Sequence, residues 1–118
     1  MSQQRQARGE SGEALVAAKL QAAGYHILAR NARVGRAEID IIASRGSLVV
    51  FCEVRTRSSS ALIEPAESID RAKVSRVRRA AAGWLEAQGL RFSEIRFDAA
   101  SVVLELPEPR ITYYEEAF

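Results

Sequence analysis

The sequence is poor in the residues that staple or punctuate a small protein: one cysteine, one histidine and three prolines in 118 residues. A lone Cys52 cannot build a disulfide framework, so stability has to come from the core, as is usual in a reducing compartment. A lone His26, with no second histidine or cysteine at ligand spacing, argues against a zinc site. The seven glycines are scattered as turns and caps rather than gathered into a phosphate-cradling loop. No uncharged apolar run approaches the roughly 18 residues that a membrane-crossing helix needs. Met1-Ser2-Gln3-Gln4-Arg5 is not followed by the apolar stretch of a secretion signal. Together these absences lead to the expectation of a soluble cytoplasmic protein with no membrane partner.

What is present excludes disorder and collagen. Apolar residues make up 47% of the chain, and a domain of this length buries roughly two-thirds of the surface that its unfolded chain exposes. One domain over residues 1–118 is expected, with 1–5 and 107–118 peripheral or flexible. The net charge of +2 hides an asymmetry, because residues 1–80 carry 14 Lys and Arg against 8 Asp and Glu, whereas 81–118 carry 3 against 7. Fifteen of the 17 cations are arginine, the residue suited to bidentate phosphate contacts. A genome rich in G and C would also favour arginine, so composition alone does not decide.

From about Gln6 to Ala23 the chain is alanine-rich and proline-free, with Leu15, Ala18 and Ala22 at helical spacing and Gly24 as terminator. A strand is expected over Tyr25–Ala32, a turn over Val34–Ala37, and a second strand over Glu38–Ala43. After a turn at Arg45-Gly46, Leu48–Val54 is apolar on both pleat faces, as a central strand covered by two helix layers would be. Ser58-Ser59-Ser60 reads as a loop. A second helix follows from about Ile69 to Gln88, with Ser68 or Asp70 as its cap, Gly89 as its stop, and Val74, Val77, Ala81, Trp84 and Leu85 in one stripe. A last strand spans Ile95–Leu106, and beyond Pro107 and Pro109 the residues read as a short acidic tail.

Two strands that otherwise look buried are interrupted by acids, in Glu38-Ile39-Asp40 and in Cys52-Glu53-Val54-Arg55. A buried carboxylate is costly unless paired or coordinated to a metal. A two- or four-residue turn at Arg45-Gly46 pairs positions summing to 91, which puts Asp40 opposite Phe51. Period-two alternation then sends Asp40, Glu53 and Arg55 to one face, with the carboxylates diagonal to each other. Carboxylates in such a pair suit Mg²⁺, which takes one or two of them together with waters and phosphate oxygens. An ion pair between Asp40 or Glu53 and Arg55 within the sheet is the competing explanation. Cys52, on the opposite face, reads as a small core residue.

The runs Gly12-Glu13, Leu28-Ala29-Arg30-Asn31, Glu38-Ile39-Asp40-Ile41-Ile42 and Phe51-Cys52-Glu53-Val54-Arg55-Thr56-Arg57 resemble the YraN-type family of uncharacterised bacterial proteins. The similarity continues through Ser68, Lys73, Trp84-Leu85, Arg96-Phe97-Asp98 and Ala117-Phe118. The resemblance implies an α/β, restriction-endonuclease-like core with the order helix, three strands, helix, strand, and a mixed central sheet flanked by helices. Related Holliday-junction resolvases and RecB-type nucleases bind a divalent metal, and the resemblance carries that role to Glu13, Asp40 and Glu53, with Arg55 completing the catalytic set. Glu13 rests on the resemblance alone. Arg55 stands where such nucleases usually have lysine, and Arg36-Ala37 where the family tends to have Gly-Gly.

The expectation is therefore a Mg²⁺- or Mn²⁺-dependent DNA endonuclease acting on branched or damaged DNA in recombination or repair. The alternative is a non-catalytic nucleic-acid-binding module that keeps the fold. In either reading Arg55, Arg57, Arg71, Lys73, Arg76 and Arg79 form the nucleic-acid-binding face, unless the basic helix face is merely solvated. Lys73 is a candidate for the missing ammonium. A homodimer is expected if the substrate is a four-way junction, which needs two symmetric cuts.

Overall fold

The computed structural model describes residues 2–57, 71–104 and 107–118. Helix α1 (Ser2–Ala22) ends where the sequence predicts: Tyr25 N–H donates to the Leu20 carbonyl and Gly24 N–H to that of Gln21, both at 3.0 Å, with Gly24 at φ +92°. This is the Schellman arrangement, which fits glycine because a side chain there would be strained. Strands β1 (His26–Val34), β2 (Ala37–Arg45) and β3 (Leu48–Arg57) form an antiparallel meander. Helix α2 (Arg71–Gln88) leads to β4 (Glu94–Val103), which lies parallel to β3, and β5 (Arg110–Tyr114) adds an antiparallel edge. The sheet order is β1-β2-β3-β4-β5. This is the mixed α/β core, flanked by helices, that the sequence leads one to expect.

The central place of β3 follows from its composition. Val50 and Cys52 pack in the layer of Val16, Ala17 and Leu20 from α1, while Val49 and Phe51 pack in the layer of Val77, Ala80, Ala81 and Trp84 from α2. Phe51 stacks on Phe97 at 5.5 Å between ring centres and meets Trp84 edge-on at 6.3 Å. Cys52 is a buried core residue, and burial raises its thiol pKa. Among the described residues no helix is long and apolar enough to cross a membrane.

Two expectations need correction. The β2–β3 loop is Gly46-Ser47, with Arg45 opposite Leu48 and Ile42 opposite Phe51, so paired positions sum to 93 rather than 91. Gly46, at φ +59°, takes the first of the two loop positions, where a tight hairpin favours positive φ. Secondly, Arg110–Tyr114 is a strand and not a tail, because Ile111 and Tyr113 alternate with exposed residues and pack inward against the α1-side core. The Ser58–Ser60 loop and the Ser68 and Asp70 caps lie outside the described residues.

Candidate active site

The site begins where the sheet forks. The β2–β3 ladder stops at Ile41 opposite Cys52, yet β2 stays paired with β1 as far as Ala37 and β3 stays paired with β4 as far as Arg57. The pleat turns over at the same level. Ile41 packs in the α1-side core and Ile39, two residues away, in the α2-side core, although strict alternation would put both on one face. In β1 the matching irregularity is Asn31 at φ +52°, between the pairs Arg30–Ile41 and Ala32–Ile39. Asp40 thus sits in the gap, and its Oδ2 accepts the Val54 N–H at 2.8 Å, an amide of β3 lying just past the end of the β2 ladder.

Continuing the corrected register brings Asp40 to the level of Glu53 directly rather than diagonally. Glu53 is only 6% exposed. Its Oε2 lies 3.7 Å from Lys73 Nζ on α2, and its Oε1 is buried with no hydrogen-bond partner. Burial first, and then the Asp40 carboxylate, push its pKa up to about 8, against the opposing pull of Lys73 and Arg55. Arg55 makes no ion pair with either carboxylate among the described residues; it acts at longer range. The sheet-internal pair with Arg55 is therefore absent, and Lys73 supplies the close ammonium.

Glu13 approaches from the other layer. Its Oε1 is the second buried, unpartnered side-chain oxygen among the described residues, with Arg30 Nη2 at 3.8 Å, too far for a hydrogen bond. Burial and then Asp40 raise its pKa to about 6, while Arg30 and Asn31 oppose the rise. Asp40 is thus the acid common to both neighbours. Among the described residues, no three His, Cys, Asp or Glu side chains stand together at metal-ligand spacing.

Helix α1 is brought this close by Gly12, since a Cβ there would lie 1.9 Å from Thr56 Oγ1 and 3.0 Å from Thr56 Cβ. Rotating the threonine relieves only the first contact. Gly12→Ala is therefore expected to destabilise by about 1–2 kcal/mol, overpacking outweighing the better helix propensity of alanine. Thermal melts should show a partial rescue in Gly12→Ala/Thr56→Ala, and an unchanged melting temperature in the single variant would refute the close approach.

The remaining predicted cations spread along α2 and the end of β3. Arg57 is half-buried at the strand end, Arg71 is exposed at the start of α2, and Arg76 and Arg79 are exposed farther along the helix. Sequence reasoning passed over Arg36 as part of the site and gave Arg30 and Asn31 no role, although asparagine is among the few residues that tolerate a left-handed backbone. Arg36 lies in the β1–β2 turn and lines a cavity with Arg76 and Arg79.

Comparison with known proteins agrees with the sequence resemblance. The model of the uncharacterised protein family UPF0102 matches residues 12–102. A UPF0102 protein of Moorella thermoacetica is 47% identical over 108 residues, covering 92% of this chain and 90% of its own. Another, from an Anaeromyxobacter species, is 41% identical over 114 residues, covering 97% and 86%. Among solved structures, SfsA of Pyrococcus furiosus in complex with Ca²⁺ aligns with a TM-score of 0.43 at 16% identity, over 94% of this chain and 63% of that one.

Proposed function

The chain belongs to the uncharacterised protein family UPF0102, a name that carries no chemistry, and from the site itself we propose a divalent-metal-dependent endonuclease that hydrolyses DNA phosphodiester bonds. The observation that carries this reading is the pair of buried, unpartnered carboxylate oxygens, Glu53 Oε1 and Glu13 Oε1, on either side of Asp40. Two acids whose pKa values are raised by burial and by one shared carboxylate neighbour are a poor structural device but a good cation cradle. Asp40 and Glu53 would hold Mg²⁺ or Mn²⁺, with Glu13 as the third acidic group. When bound, the ion would neutralise phosphate charge and lower the pKa of a nucleophilic water.

The protein's own residues set the stage for that chemistry. The Val54 N–H holds Asp40 in the fork. Lys73 holds Glu53 by its Oε2, and the buried Oε1 keeps no hydrogen-bond partner that a cation would have to displace. Arg55 offers a permanent positive charge for a non-bridging phosphate oxygen; being always protonated, it stabilises charge and does not act as a base. Arg57, Arg71, Arg76 and Arg79 would bind the flanking backbone.

The test is purified protein with Mg²⁺ or Mn²⁺ on linear, flapped and four-way DNA, beside Asp40→Asn. Cleavage is expected for the wild type and should vanish in EDTA and in the variant; cleavage that survives in Asp40→Asn would overturn the assignment. Either ion should also raise the wild-type melting temperature by mass action, and not that of the variant. A second reading, a nucleic-acid-binding module without catalysis, is favoured by the lack of three converging ligands among the described residues. It predicts DNA binding that persists in EDTA together with no metal effect on the melting temperature.

A further inference from the structure

A cavity of about 290 Å³ opens between the β1–β2 turn and α2, away from the carboxylates. Its floor is apolar, from Val34, Ala37 and Ala80, and its walls are the three arginines Arg36, Arg76 and Arg79. None of the three makes an ion pair with a described residue. No acid lines the cavity among the described residues, and the nearest acid in sequence, Glu38, lies 3.6 Å from Arg33. Three exposed arginines from two separate elements border one open cleft with no acid among the described lining residues, so their charges are available to a shared anion.

Two rulers place this cleft relative to the proposed reaction centre. Along β2, Ala37 precedes Asp40 by three residues, roughly 10 Å of extended chain. Along α2, Arg76 and Arg79 follow Lys73 by three and six residues, roughly 5–9 Å of helix. On that scale the cleft stands within a nucleotide or two of the carboxylates along a bound strand. We propose that Arg36, Arg76 and Arg79 form a flanking-phosphate subsite that grips the continuous backbone of the strand next to the bond presented to Asp40 and Glu53. The position relative to the bond rests on the nuclease reading; the anion site itself does not. The apolar floor suits the sugar edge next to the gripped phosphate, so a sugar-phosphate backbone is the ligand rather than a free inorganic anion.

The proposal is tested in EDTA, so that binding is read without catalysis. A fluorescein-labelled DNA duplex is titrated by anisotropy at several salt concentrations with wild type, Arg36→Ala/Arg79→Ala, Arg36→Lys/Arg79→Lys, and Arg91→Ala beyond the far end of α2. The alanine pair is expected to lose about two from the magnitude of the log–log salt slope and at least about tenfold in affinity at moderate salt. The lysine pair should keep most of the slope, because charge is retained, and Arg91→Ala should resemble the wild type. Excess inorganic phosphate should compete poorly. An alanine pair that folds normally yet keeps the wild-type slope overturns the subsite, as does an equal loss in Arg91→Ala. If the wild type fails to cleave in Mg²⁺ while the slope still falls in the alanine pair, the nuclease reading fails and the anion site stands.

Discussion

Replacing Asp98 by alanine should lower stability by about 3–5 kcal/mol, the range for stripping one partner from a buried charged network. Asp98 is fully buried in β4, beside the central strand. Arg96 Nε and Nη2 donate to its two oxygens at 2.9–3.1 Å, the Tyr113 hydroxyl donates to Oδ2, and the Glu116 N–H donates to Oδ1 at 3.0 Å. Arg96 also donates to the Tyr25 hydroxyl at 3.0 Å. One carboxylate therefore ties β5, the turn after it and the end of α1 to the sheet. Its loss leaves a largely buried guanidinium, whose pKa Asp98 otherwise raises, with only the exposed Glu115 carboxylate at 3.1 Å as a charged partner among the described residues, and deprives a phenol that burial already keeps protonated of its acceptor. In a domain stable by about 5–15 kcal/mol the melting temperature should fall by roughly 10–20 °C. Asp98→Asn, which keeps one acceptor oxygen but loses the charge and turns the other oxygen into a donor, should fall between. A melting temperature within a few degrees of the wild type would contradict the network.

Glu53→Gln should move stability and activity in opposite directions. A carboxyl whose pKa is raised from its ordinary 4.5 to about 8 on folding binds its proton more tightly in the folded state. Its contribution is fully present below about pH 4.5 and is lost as the pH climbs through about 8. The metal-free wild type should thus lose stability across that window, and glutamine, which has no proton to lose, should flatten the slope. Above pH 8 the variant should be more stable by roughly 1–2 kcal/mol, the loss of the Lys73 contact offsetting part of the gain. Nuclease activity should meanwhile fall by roughly 100-fold or more, since a neutral amide neither binds the ion nor offsets its charge. Glu13 should give a smaller effect of the same sign near pH 6, because Arg30 opposes its rise. Equal pH slopes in wild type and Glu53→Gln, read by thermal melts in EDTA, would show that Glu53 is not the strained acid of the fork.

Much of this arrangement is legible in the residues. Leu48–Val54 shows its double-sided burial because both alternating sets are apolar, and Gly24 and Gly89 end the helices through the same backbone bonds. Asp40 and Glu53 stand out because a charge inside a buried strand has to be explained. The short edge strand β5 was not legible: five residues behind two prolines and before two glutamates look like a tail until Tyr113 is seen to reach Asp98. The route by which Asp40 meets Glu53 was also hidden, because alternation assumes a continuous ladder and the ladder ends one residue earlier.

By itself the sequence pointed to the mixed α/β core and singled out Asp40 and Glu53, because hydrophobic periodicity and misplaced charge are local properties of the chain, while the family and Glu13 came from the resemblance of its motifs. Only the tertiary structure decided that the strands part at Asp40, that Glu13 and Glu53 each keep a buried oxygen without a partner, that Lys73 rather than Arg55 closes on Glu53, and that Arg36 faces Arg76 and Arg79. Each of these depends on which segments run side by side and where their pairing stops, and therefore on contacts between residues far apart in the chain.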